Sequence, residues 1–168
     1  MLDAETGGEG SYDLEGPDDQ SPLAHSILGW VLIFLKDGEN AVPEGRRACS
    51  LDPSSADAKL FLSLILASTG HGGEATGNIE TAMLLQPRPS SFYICALGLC
   101  HFALADYQRA IAAFLRGIEI NPSFMPNHYK LAITYGVCGL ADEAQAEAAI
   151  VKADWPHGWR PGMSAEGT

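Results

Sequence analysis

Cys100 stands beside His101, the two residue types that make a thiolate nucleophile and its base. Adjacent residues on a helix point about 100° apart, however, and no acid is placed to orient the imidazole. His71-Gly72-Gly73 has the composition of an oxyanion loop, yet it falls in a turn between two helical segments, where glycine is expected. His25 and His128 occupy the same place in two copies of an internal repeat, which points to packing rather than catalysis. The sequence holds no Gly-rich phosphate loop with its lysine, no G-x-S-x-G elbow, no H-E-x-x-H and no paired-cysteine zinc pattern. No catalytic residue, cofactor or metal site is therefore expected, and the chain reads as a non-enzyme.

The elements that would position such residues are clearest between Ser91 and Pro122. Tyr93, Ile94, Leu97, Gly98, His101 and Phe102 recur at helical spacing, and so do Ala110, Phe114, Gly117 and Ile118. Gly98 and Ala110 are small where two helices must approach, and Ala105-Asp106 suits a short turn followed by a cap. The stretch predicts an antiparallel helix hairpin closed by Asn121-Pro122. That closing proline recurs at Pro53, Pro87, Pro122 and Pro156, at intervals of 34, 35 and 34 residues. The small residue of each second helix recurs with it, as Ala41, Ala75, Ala110 and Ala144.

Two helices per unit at this period resemble the tetratricopeptide repeat, over about 135 residues. The resemblance implies an all-α fold, a right-handed superhelix of four antiparallel helix-hairpin repeats. The expected domains are an acidic N-terminal tail (1–20), a four-repeat region (21–156, divided as 22–55, 56–90, 91–124 and 125–156) and an irregular tail (157–168). Helices are expected near 22–36, 40–51, 56–69, 73–85, 91–104, 107–120, 124–138 and 141–153. Ser54 is expected to open the second repeat as a capping-box residue with Asp57. Pro43 predicts that the second helix starts late or kinks. The stretches AHSILGWVLIF, LQPRPSSFY and ADEAQAE are also similar to repeat regions of bacterial nucleotide-cyclase homology or winged-helix regulator proteins. That similarity implies a regulatory or scaffold module without cyclase activity.

Composition narrows the partner. The 168 residues are 46% apolar, only 18% are charged, and the net charge is −11, which argues against nucleic acid or an anionic membrane. Residues 1–20 hold seven carboxylates and no Lys or Arg, and are expected to be disordered. Four cysteines within predicted helices fit a reducing cytoplasm, and no apolar run reaches the about 20 residues that a membrane span needs.

In the resembling family the first helix of each repeat lines a concave groove, and here that wall is apolar. The expected protein-binding groove comprises Trp30, Phe34, Leu60, Leu64, Phe92, Leu99, Phe102, Tyr129 and Ile133. Lys, Arg and Asn, which would grip a peptide carboxylate, are missing from the wall positions. The chain is thus read as a protein-interaction module, with a small acidic chaperone for apolar segments of secretion proteins as the alternative and an enzyme as a remote third. Beyond the last expected helix, Trp155 and Trp159 on either side of Pro156 are the bulky residues expected to cover the fourth repeat. Its face is expected to mediate homodimerisation or to dock on a further segment.

Overall fold

Among the described residues, 20–154 of the computed structural model, the chain forms eight α-helices and no strand. They pair in order as α1 (Pro22–Phe34) with α2 (Gly38–Leu51), α3 (Ala56–Ser68) with α4 (Gly72–Leu85), α5 (Ser91–Ala103) with α6 (Tyr107–Ile120), and α7 (Met125–Val137) with α8 (Ala141–Asp154). Each first helix also packs on the first helix of the next hairpin, giving the all-α helical repeat. The acidic tail and the cover by Trp155 and Trp159 lie outside the described residues.

Every hairpin turns in the same way. Lys36, Gly70, Ala105 and Gly139 adopt positive φ, at 60°, 84°, 58° and 77°, each just past the end of a first helix. The next amide reaches back five residues: Asp37 to Leu32, His71 to Leu66, Asp106 to His101 and Leu140 to Tyr135, at 2.8–3.0 Å. This is the Schellman arrangement, which satisfies carbonyls that a helix end leaves open. Asp37 and Asp106 then double as caps of the second helix, accepting from the amides of Asn40 and Arg109.

Two local expectations need correction. Ser55 rather than Ser54 caps α3, accepting from the Ala58 amide at 3.1 Å. Ser54 is already committed, because Asp52 takes both its amide and its hydroxyl, at 3.0 and 2.7 Å. Asn121 holds Ser123 identically ahead of α7. The second helix does not start late: it begins at Gly38 and continues through Pro43. Glu39 and Pro43 both lie on the exposed side, where solvent can take the carbonyl that proline leaves without a donor.

The hairpins interlock through small residues. A Cβ on Gly29 or Gly45 would lie 2.8 or 2.9 Å from Ile65 Cδ1, so the gap between α1 and α2 is filled by the next hairpin. Within the third hairpin the Phe114 ring takes the space beside Gly98, where a Cβ would meet Cε1 at 2.5 Å. Gly117 gives way to Asn127 of α7, whose amide donates to Ser91 Oγ at 2.7 Å; Ser91 in turn donates to the Gly117 carbonyl at 2.8 Å. The Tyr93 phenol donates to Asp57 at 2.5 Å, tying α5 to α3, and burial with that carboxylate pushes its pKa up.

These contacts separate three substitutions. Gly117→Ala places a methyl group against Asn127 and is expected to cost about 1–3 kcal/mol, as overpacking does. Gly77→Ala, in α4 with nothing within 4 Å, is expected to stabilise by about 0.5–1 kcal/mol through helix propensity. Ala105→Gly relieves a left-handed strain of about 1–2 kcal/mol against a smaller entropic cost, and is expected to raise the melting temperature. Thermal unfolding followed by circular dichroism checks all three. Equal losses for Gly117→Ala and Gly77→Ala would contradict the packing described.

Candidate functional site

The first helices α1, α3, α5 and α7 carry the wall, and the structure divides its expected residues by burial. Leu60 and Leu64, in the middle of the array, are only 1% and 2% exposed, with Cys95 of α5 buried as well. They are packed from both sides by neighbouring helices and form the floor. Trp30, Phe92, Leu99, Phe102 and Tyr129 are half-buried, while Ile133 and Phe34 are exposed, Phe34 by 70%. Val137 and Leu23 extend the exposed apolar surface at the two ends. The floor residues belong to α3, which packs between α1 and α5, and the most exposed wall residues lie on α1 and α7, each of which packs on one first helix among the described residues.

Aromatic rings organise the surface. Trp30 meets Phe34 edge to face at 5.1 Å within α1, and Phe102 meets Tyr107 at 5.5 Å. Phe61, Phe92 and Phe124 form a ladder across three hairpins, with successive centroids 6.2 Å apart. Sequence reasoning found Phe92 alone. Phe61 is hidden inside the apolar run of α3, and Phe124 precedes the first residue of α7, so neither has a spacing signal of its own. Lys130 was missed too. Its amine lies over the Tyr129 ring at 5.3 Å, placing one cation beside a wall whose own positions carry none, and burial lowers its pKa.

The residues with chemical potential are not brought together for chemistry. Cys100 is fully buried and its thiol is pushed up to about 12 by burial; the Cys95 thiol is pushed up to about 12 for the same reason. The His101 ring is buried, and its Nδ1 has no hydrogen-bond partner among the described residues. His71 Nδ1 contacts the Thr69 hydroxyl at 3.1 Å in the α3–α4 turn, and Gly72 is buried against Leu104. His25 and His128 each meet a glutamate nineteen residues on, Glu44 and Glu147, at 2.6 Å, so both clamp the two helices of one hairpin together. His128 Nε2 also faces the Pro122 carbonyl at 3.1 Å. No helix among the described residues is long and apolar enough to cross a membrane.

Comparison with known proteins agrees with this geometry. Residues 91–124 match the tetratricopeptide repeat family. No curated protein matches the sequence. Among solved structures, the chain is similar to TTC0263, a thermophilic TPR protein of Thermus thermophilus, with a TM-score of 0.71 at 20% identity, covering 83% of this chain and 77% of that one. It is similar to PilW, a type IV pilus biogenesis factor, with a TM-score of 0.69 at 22% identity, covering 82% and 63%. YrrB, described as a TPR protein with an unusual peptide-binding site, gives 0.55 at 19%, covering 83% and 71%. The third hairpin thus matches the tetratricopeptide repeat family, and the whole array has an all-helical repeat fold that the chain shares with these proteins.

Proposed function

We propose that this protein is a non-catalytic interaction module that takes an apolar segment of a partner protein along the wall of its first helices. The observation that carries the reading is the half-buried and exposed series Trp30, Phe34, Phe92, Leu99, Phe102, Tyr129 and Ile133 over the floor of Leu60 and Leu64. Apolar surface left open beside a sealed floor is the usual mark of a docking site. The fold shared with YrrB supports a peptide as the kind of partner. A regulatory setting rests on the resemblance of AHSILGWVLIF, LQPRPSSFY and ADEAQAE to bacterial regulator repeats.

Panning a displayed library of random 12-residue peptides on the immobilised protein tests the wall directly. Enriched peptides are expected to be rich in Leu, Ile and Phe. Their affinity should fall about tenfold or more for Phe102→Asp, a loss in the range of interface anchors. Leu84→Asp, at an exposed position on the second helix α4, should leave it unchanged. With Trp155 and Trp159 replaced by Phe, Trp30 is the remaining indole, and its emission should shift on binding. Equal losses for Phe102→Asp and Leu84→Asp would move the site off the wall.

The absence of catalysis has its own test in thiol reactivity. At pH 8 a thiol with a pKa of about 12 is ionised only about once in ten thousand molecules, so Cys95 and Cys100 should resist Ellman's reagent in the folded protein. Cys138, which is exposed, should react first, and all four should react in guanidinium. Fast native labelling at Cys100 would overturn this reading.

A further inference from the structure

Each junction between hairpins follows one register. At the first, Ile65 of α3 enters the cradle formed by Gly29 and Gly45. One repeat later the entering residue is Cys100 and the cradle positions are Ser63 and Ile79, which share its buried cluster or hydrogen-bond to it. One repeat further it is Thr134, and the cradle positions are Gly98 and Phe114. All three entering residues are fully buried; the largest, Ile65, meets two glycines, while the smaller Cys100 and Thr134 stand where one cradle residue is large.

The two ends of the array hold the unmatched halves of this device. At the C-terminal end the cradle positions are Ala132 and Ala148, both small, and Ala148 is exposed. At the N-terminal end the entering position is Val31, 44% exposed, flanked one turn either way by Ile27 and Leu35 at 47% and 69%. The corresponding residues of α3 and α5, Phe61 with Ile65 and Ala96 with Cys100, are half-buried or buried against the preceding hairpin.

We infer that copies of this chain associate head to tail, with α1 of one copy continuing the array on α7 and α8 of the next and Val31 seated between Ala132 and Ala148. A small-small cradle calls for a large entering residue, as Gly29 and Gly45 do with Ile65, and Val31 is the β-branched side chain available at that register. The polar ties of the internal junctions have neutral counterparts at this one. The Arg46–Glu74 ion pair corresponds to Ala149 and Asn40, the Tyr93–Asp57 bond to Ala24 and Pro126, and the Ser91–Gly117–Asn127 chain to Met125, Val151 and Ala24. None of these positions brings a charge to the joint; Lys152 stands at the register of the half-buried Cys49, Met83 and Ile118, and its flexible stem keeps the amine at the rim. Because the two surfaces differ, the contact is heterologous, and an assembly of any length retains one open end of each kind.

Sedimentation velocity on the full chain tests this, over about 5 to 500 µM, the range in which weak interfaces dissociate. The weight-average mass is expected to rise above 17.9 kDa with concentration. Val31→Arg and Ala148→Arg should each be monomeric. Mixed one to one they should form a dimer and nothing larger, because each variant keeps the surface that the other has lost. Circular dichroism establishes that each is folded, and Leu35→Glu is a second N-terminal variant at a more exposed position. Val31→Arg added to the wild type should also lower its average mass by ending chains. A wild type that stays monomeric throughout overturns the inference. So does a Val31→Arg variant that still self-associates, which would indicate a two-fold contact through the C-terminal face alone.

Discussion

The described hairpins leave apolar surface that only a neighbouring hairpin covers, and the rest of the structure depends on that constraint. The clearest case is the cradle of Gly29 and Gly45, which is filled by Ile65 from the following hairpin. An array built this way gains stability from neighbour to neighbour. The four positive-φ turns close every unit in the same backbone conformation.

The cradles are not interchangeable. Where the third hairpin fills its own gap with the Phe114 ring against Gly98, only Thr134 stands at the entering position. Its other small residue, Gly117, admits a buried polar chain through Asn127 and Ser91. Asn127 Oδ1 is buried without a partner among the described residues, and losing Ser91 as well would strand the Asn127 amide, so the contact selects its own neighbour. The hairpins thereby gain a fixed order.

The first and fourth hairpins, each flanked by a described neighbour on one side only, share a feature the inner ones lack. Both close their two helices with a His–Glu contact at 2.6 Å in which the imidazole is buried. At the same register the second hairpin has Lys59 and Asn78, and the third has Ile94 and Ala113. An inner unit is held from both sides by apolar packing, whereas an outer one receives a charge-assisted tie within the hairpin. The same asymmetry shapes the candidate wall: Leu60 and Leu64 are sealed between neighbours, and the open apolar residues gather toward Phe34 at one end and Ile133 at the other.

The sequence by itself determined the period, the eight helices to within about two residues, the small residues of the second helices and the prolines that end them. These are local signals, carried by spacing, caps and the conformational limits of Gly and Pro. Tertiary structure decided what local chemistry leaves equal. Ser54 and Ser55 are both able to cap, and the Asp52 carboxylate settles the matter by holding the first. Leu60 and Phe34 stand on the same predicted wall, yet one is closed over and the other is open. That difference follows register along the first helices: the Leu60 position is buried on α1 and α5 as well, as Ser26 and Cys95, and the Phe34 position is exposed on α3 and α5 as well, as Ser68 and Ala103. Phe61 and Phe124 joined the site only when three hairpins were stacked, because a ladder of rings is a relation between repeats that no single repeat encodes.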